Sequence, residues 1–268
     1  MLVSVIMITY GHDKYIDKAI RGVLMQKCKF DVELIITNDC SPDSTDDIVN
    51  EIINSHENKS WIKYTRHSTN KGAAGNSIWT FKQAKGKYIA ICEGDDYWTD
   101  PNKLQKQVDF LNNNNDFSIC FTDYKVLYEN TKNIFYPDLI KKYKNKSIFN
   151  QSNIILSNFI PTATVMFRNQ KEVFTRLELS LYPLDWFLHI LNSEYGKIKF
   201  LPFETTVYRK HDGGVCSASN PIDNNMRYLK SIKIFRKLYS KKYSVQFIFN
   251  LLILKIRLQN IKFKLLGK

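Results

Sequence analysis

The chain opens with an unbroken apolar run, Val3 to Thr9, that stops at the loop signal Tyr10-Gly11. A continuous run of this kind predicts a strand buried on both faces. Ile16, Ala19, Ile20, Val23 and Leu24 then recur at helical spacing and predict a helix with one core-facing stripe. The alternation repeats. A strand is expected at Val32 to Thr37, a helix at Asp46 to Asn54 with Ile48, Val49, Ile52 and Ile53 inside, and a short strand at Ile62 to Thr65. A helix over Gly75 to Ala84 and a strand at Tyr88 to Cys92 follow. Such alternation predicts an α/β fold with a Rossmann-like, mainly parallel sheet flanked by helices, whose ligands bind beyond the carboxyl ends of the strands.

Past residue 100 the pattern loosens. Asp100-Pro101 supplies an N-cap and a first-turn proline for a helix carrying Leu104, Val108 and Leu111. Strands are expected at Phe117 to Thr122, Ala163 to Phe167, Lys197 to Leu201 and Thr205 to Tyr208, and a helix at Leu184 to Ser193 closed by Gly196. Leu127 to Asn150, rich in Lys, Asn and Tyr, reads as a surface segment. Near the end, Tyr228, Ile232, Phe235 and Tyr239 form an apolar helical stripe beside Lys230, Lys233, Lys237 and Lys241. The run from Phe247 to Leu254 is too short to span a hydrocarbon layer of about 30 Å.

Charge changes the picture of that tail. The 268-residue chain carries a formal +13, which would suit nucleic acid if it were spread over the body. It is not: twelve basic residues and no acidic one follow Asp223, while the remaining 27 basic residues face 26 acidic ones. Nucleic acid is therefore not an expected partner. The basic amphipathic tail is expected to meet an anionic membrane surface, the alternative being that its apolar face docks on its own domain or a second protomer. Five scattered cysteines without a C-x-x-C pair, and an N-terminus without a signal peptide, point to a reducing cytoplasm, with the tail placing the protein peripherally on the inner face of the membrane.

The candidate chemistry lies where the apolar run Tyr88 to Cys92 enters Glu93-Gly94-Asp95-Asp96. Grouped carboxylates are costly without a cation, and hard oxygen donors at a strand end suit Mg²⁺ or Mn²⁺ with a diphosphate completing the coordination. The plainer alternative is a solvated turn with a helix cap.

Glu93 to Trp98 resembles the D-x-D site of the family 2 glycosyltransferases, which have the GT-A fold, and the resemblance covers roughly residues 1–217. It implies a nucleotide-sugar half at 1–100 and an acceptor half at 101–217, leaving the basic amphipathic helical tail as an extension at 218–268. Asp95 would hold the metal, Glu93 would stand at the first Asp position, and Asp96 would share a role with either. Thr9-Tyr10 would flank the base, with Gly11 where the family usually has Asn. Asn38 to Thr45 is similar to D-D-G-S-x-D-x-T, which implies that Asp39 reads uracil or thymine; Cys40 stands where the family has Gly. Asn70-Lys71-Gly72 matches the family's N-x-G turn, where backbone N–H groups, a helix dipole and the Lys71 charge approach phosphate.

On the acceptor side, Asp185-Trp186 is similar to the Asp-Trp pair that holds the family's catalytic base, the alternative role for Asp185 being a helix N-cap. Trp98 and Trp186 would form an apolar wall for a sugar, or else be core tryptophans. Asn158 to Thr164 resembles an N-x-I-x-T segment that places Thr162 near the acceptor, and Val207 to Val215 resembles Y-R-x-H-x-G-G. That last segment implies His211 on the metal or the leaving diphosphate and Arg209 neutralising charge. The implied activity is metal-dependent, inverting transfer from a UDP- or dTDP-sugar to a hydroxyl of a glycan or lipid-linked oligosaccharide, in lipopolysaccharide or capsule synthesis. The alternative is a nucleotide-sugar- or carbohydrate-binding protein without turnover. A nucleotidyltransferase is disfavoured, because Thr9 to His12 lacks a glycine-rich phosphate loop.

Overall fold

The computed structural model describes residues 2–214, 221–239 and 241–265; Cys216 and Val215 lie outside them. The predicted alternation is present as β1 (Val3–Thr9), α1 (Ile16–Leu24), β2 (Val32–Asn38), α2 (Thr45–Ser55), β3 (Ile62–Arg66), α3 (Gly72–Gln83) and β4 (Tyr88–Ile91). β1 pairs parallel with β2 and β4, and β2 with β3, so Thr9, Asn38 and Ile91 arrive at one edge of the sheet. Helix α3 starts at Gly72, earlier than its apolar stripe suggests, because Gly72 (φ 74°) supplies the left-handed turn into it.

The second half comprises β5 (Tyr97–Trp98), α4 (Lys103–Asn113), β6 (Phe117–Tyr128), β7 (Asn133–Phe135), α5 (Leu139–Lys142), β8 (Ile148–Phe149), α6 (Gln151–Leu156), β9 (Met166–Arg168), α7 (Lys171–Thr175), α8 (Leu184–Asn192) and β10 (Lys197–Lys210). The sheet order is β3-β2-β1-β4-β9-β6-β10-β5, with β7 on β6 and β8 on β10. Pairing past β4 is mixed: β9 is antiparallel to β4 and β6, and β5 to β10, while β10 runs parallel to β6. The two strands expected at Lys197 to Tyr208 are one strand, β10, whose register shifts around Glu204 break its hydrophobic alternation. Residues 127–150 are not wholly irregular, since the end of β6, β7, α5 and β8 lie there.

Alternation along β1 divides the core. Val3, Val5 and Met7 face α1, α2 and α4, whereas Ile6 faces the larger cluster built with α3, α6, α7 and α8. The C-terminal helices α9 (Pro221–Phe235) and α10 (Tyr243–Leu265) join that second cluster. This corrects the expectation for the tail stripe: Ile232, Phe235 and Tyr239 are buried, so the face predicted to meet lipid is covered by the chain's own core. The Ser231 hydroxyl accepts the Tyr182 N–H at 2.9 Å, and Tyr228 stacks on Tyr182, so α9 braces the segment entering α8. Among the described residues no helix is long and apolar enough to cross a membrane.

Candidate active site

The three parallel strand ends are tied together through their backbones. Asp39 N donates to Thr9 O (2.9 Å) and Gly94 N to Ile8 O (3.0 Å). Gly94 has to be glycine: a Cβ there would lie 2.8 Å from Thr9 Oγ1 and 2.9 Å from His12 Nδ1. The β1–α1 loop is latched by the β2–α2 loop, with Gly11 N donating to Ser41 Oγ, His12 N to Thr45 Oγ1 and Asp13 N to Asp43 Oδ2, each at 3.0 Å. Burial would raise the Asp43 carboxyl, but hydrogen bonds from Thr45 and the Asp13 N–H outweigh it and hold it below its ordinary value. Cys40, at φ 62°, occupies the left-handed position that explains glycine in the resembled motif.

These loops enclose a cavity of about 290 Å³ lined by Thr9, Tyr10, Asp39, Asn70, Gly72, Glu93 and Asp95 from the sequence-based set, together with His12, Asn76, Gly213 and Gly214. Asp39 Oδ1 accepts the Lys71 N–H at 2.7 Å, and Asn70 Oδ1 accepts that of Gly72 at 2.8 Å. Lys71 contributes its backbone here, whereas the residue lines a neighbouring cavity with Tyr182, Arg227 and Lys230. The expected point charge on the phosphates is thus not among the groups lining the nucleotide-side cavity.

The carboxylates of the acidic loop have different environments. Asp95 Oδ2 lies 3.3 Å from His211 Nε2 and 3.8 Å from His12 Nε2, and the three donors form one compact cluster. Burial pushes Asp95 up, but the His211 hydrogen bond and the His12 ring prevail and lower it. Burial lowers His12 in turn, against the Asp95 charge that would raise it. Glu93 is pushed up to about 8 by burial and by the charges of Asp95 and Asp185. Asp96 is raised by burial, Asp95 and Glu93, with its Oδ1 held by Arg209 N at 2.8 Å.

Arg209 corrects a second expectation. It is 5% exposed, with Nη1 donating to Asp95 O (2.9 Å), Nε 3.0 Å from Glu129 Oε1, and its guanidinium over the rings of Tyr97 and Tyr15. It clamps the acidic loop from behind and does not line the nucleotide-side cavity.

Asp96 turns to the other side of that loop, where a cavity of about 460 Å³ also holds Tyr124, Asn158, Thr162, Asp185 and Tyr208. Asp185 lies in the first turn of α8 and not at its N-cap, which is Pro183, although its side chain does satisfy one first-turn N–H. Its Oδ2 accepts from Thr162 Oγ1 (3.0 Å) and Asn158 Nδ2 (3.2 Å), and its Oδ1 from Trp186 N (2.8 Å). Trp98 and Trp186 are core tryptophans, 2% and 5% exposed, with indole N–H groups donating to Ala163 O and Ile154 O. Neither forms an acceptor wall.

Sequence reasoning missed His12, Asn158 as a partner of Asp185, and Lys103. The buried Lys103 ammonium donates to Gln107 Oε1 and Thr164 O, fixing the turn that carries Thr162, and burial lowers it to about 7. A histidine three residues past a strand end has no sequence signal of its own, whereas Asn158 stood in a segment already singled out.

Comparison with known proteins agrees with this architecture. The model of the family described as Glycosyl transferase family 2 matches residues 4–174. The Mycobacterium tuberculosis (strain ATCC 25618 / H37Rv) protein "Uncharacterized protein Rv1520" is 34% identical over 213 residues, 79% of this chain; the match spans only 60% of the relative's length. The Escherichia coli UDP-Glc:alpha-D-GlcNAc-diphosphoundecaprenol beta-1,3-glucosyltransferase WfaP is 37% identical over 110 residues, 41% of each chain. Among solved structures, S. aureus TarS 1-349 in complex with UDP-GlcNAc superposes with a TM-score of 0.65 at 19% identity, covering 91% of this chain and 73% of that one. The mannosyltransferase PcManGT from Pyrobaculum calidifontis, in complex with GDP-Man and Mn2+, gives 0.64 at 15% identity, covering 86% and 63%.

Proposed function

Because the chain belongs to glycosyl transferase family 2 and has the GT-A fold, we propose that it is an inverting, divalent-metal-dependent transferase acting on a UDP- or dTDP-sugar. The acceptor we propose is a hydroxyl of a lipid-linked glycan, in surface polysaccharide synthesis; the name of the E. coli relative gives that protein a diphosphoundecaprenol-linked GlcNAc acceptor. One observation carries the reading: the loop Glu93 to Asp96 separates a cavity holding Asp39, Glu93 and Asp95 from one holding Asp185.

In this reading Asp39, fixed by the Lys71 N–H, accepts the imino N–H of the base, and Thr9 and Tyr10 line its slot. The N-terminus of α3 at Gly72 and Ala73 faces the diphosphate. The donor set fits a divalent ion, since Asp95 and His211 converge within 3.3 Å and the crowding that raises Glu93 and Asp96 is what a cation relieves. Such an ion supplies charge neutralisation to the departing diphosphate. Asp185, oriented by Asn158 and Thr162, takes the proton of the acceptor hydroxyl as that oxygen attacks the anomeric carbon from the side opposite the diphosphate. A donor screen with Mn²⁺ and lipid-linked acceptors, read by mass spectrometry, tests this. Transfer undiminished in Asp95→Ala or Asp185→Ala would contradict the assignments.

The membrane partner is proposed on a different face from the one the tail pattern suggested. Phe247, Leu251, Leu254, Leu258 and Ile261 are 43–62% exposed and recur at helical spacing along α10, beside Lys255 and Lys262. An exposed apolar stripe with basic neighbours suits an anionic lipid surface. Flotation with anionic vesicles should fall sharply in a Leu254→Glu, Leu258→Glu variant; equal flotation rejects this face. Truncating the tail is the poorer test, because α9 and α10 carry part of the core.

A further inference from the structure

His12 is held at the cluster with Asp95 and His211 from both ends of its backbone. Gly11, at φ 69°, turns the chain out of β1, and the His12 backbone is pinned at both ends, its N–H on Thr45 Oγ1 and its carbonyl on the N–H groups of Tyr15 and Ile16. The ring enters the space left by the missing side chain of Gly94 and meets the His211 ring edge-on, centroids 6.1 Å apart. Among the described residues the His12 ring makes no hydrogen bond, and its Nδ1 is buried without a partner.

The distances explain the arrangement. His12 Nε2 is 3.8 Å from Asp95 Oδ2, too far for a hydrogen bond, and His211 Nε2 approaches the same oxygen at 3.3 Å. Donors around a shared first-row ion, with bonds of about 2.1 Å, stand roughly 3.0–3.4 Å apart. The His211 separation falls in that range and the His12 separation just beyond it, so both imidazoles stand at the same oxygen of Asp95, with His12 there free of any hydrogen bond that would otherwise account for its place.

We propose that His12 is a direct metal ligand, completing a His12–Asp95–His211 face that selects an imidazole-accepting ion such as Mn²⁺ over Mg²⁺. This rests on the metal-dependent reading above. Two nitrogen donors disfavour Mg²⁺, which prefers oxygen ligands and retained water, and favour the later divalent ions.

The test is spectroscopic and needs no turnover. Pulsed EPR of Mn²⁺ bound to the full chain with UDP should show couplings from two imidazole nitrogens; a single one overturns the proposal. Titration of the free-Mn²⁺ signal should show His12→Gln weakening Mn²⁺ at least about tenfold, as loss of even an outer-shell partner does, while Mg²⁺ competes better than in the parent. Unchanged Mn²⁺ affinity and selectivity would also overturn it. Absence of Mn²⁺ binding in the parent protein would instead reject the metal-dependent reading. Binding that requires Asp95 but shows one nitrogen rejects His12 alone. Should His12→Gln fail to fold, the nitrogen count in the parent protein decides.

Discussion

The two cavities either side of Glu93 to Asp96 are built by different means. The nucleotide side is assembled from the ends of β1, β2 and β4, joined by backbone bonds such as Asp39 N to Thr9 O and Gly94 N to Ile8 O. The acceptor side is lined by side chains from β6, β7, α5, α8, β10 and the turn at 158–164. Backbone-defined walls tolerate side-chain change, whereas side-chain walls change their contours with each substitution. On the proposed reading, the donor site is the fixed part of the machine and the acceptor site the part through which specificity is adjusted.

The largest expected effect separates the two. Asp185→Asn should lower kcat about 10²–10⁴-fold while leaving UDP and Mn²⁺ binding intact, because the carboxylate's hydrogen bonds go to Asn158, Thr162 and the Trp186 N–H, none of which lines the cavity holding Asp39 and Asp95. Asp95→Asn should abolish both Mn²⁺ binding and turnover. If Asp185→Asn weakened nucleotide binding as much as Asp95→Asn does, the cavities would not be functionally distinct. Equilibrium binding beside single-turnover kinetics reads the split.

Arg209 joins the sides and should show the next effect. It holds the Asp95 carbonyl, the Asp96 carboxylate through its N–H, and Glu129. Glu129 keeps Lys132 as a partner, so the loss comes from the buried guanidinium's hydrogen bond to Asp95 O and its contacts with the Tyr97 and Tyr15 rings, and Arg209→Gln is expected to cost about 1–2 kcal/mol in urea unfolding. A neutral outcome would mean that the acidic loop is held by its strand connections alone.

How much of this was legible follows the same division. Parallel strands buried on both faces give continuous apolar runs, so β1, β2 and β4 and the loops at their ends could be located from the pattern, and Asp39, Glu93 and Asp95 with them. Arg209 could not be assigned, because sequence shows a charge beside a histidine but not the two tyrosine rings and the Glu129 carboxylate that enclose it. The tryptophans failed for a related reason: a large aromatic near a site and one beneath it have the same sequence signature. His12 and His211 are 199 positions apart and meet only because β1 and β10 both end at the acidic loop.

A smaller effect concerns protons on the loop. Glu93 has an ordinary value of 4.5 and is pushed up to about 8, so between those values the folded metal-free protein keeps a proton that the unfolded chain has released. Stability attributable to this group is full below its unfolded value and is lost as pH rises through about 8. The parent protein in EDTA should therefore lose Tm relative to Glu93→Gln by a few degrees between about pH 5 and about pH 8. Mn²⁺ should narrow the gap. Parallel melting curves at every pH would show that Glu93 is not held in the buried, crowded environment that divides the two cavities.

The smallest effect probes the rigid side through its backbone. Cys40 holds φ 62° in the loop that presents Asp39, a conformation costing a side-chain-bearing residue about 1 kcal/mol or more. Glycine adopts it freely but loses roughly 0.5–1 kcal/mol of chain entropy on folding, and the weak Cys40 Sγ contact to Ser68 O at 3.6 Å disappears. Cys40→Gly should therefore gain at most about 0.5 kcal/mol, whereas Cys40→Val, β-branched in the same conformation, should lose about 1–2 kcal/mol. Both should bind UDP as the parent does, because Asp39 is positioned by Thr9 O and the Lys71 N–H and not by the residue beside it. A UDP affinity that tracked the stability of this pair would show that the nucleotide side is tuned by side chains after all, and the contrast with the acceptor side would fail at the point where it is most sharply drawn.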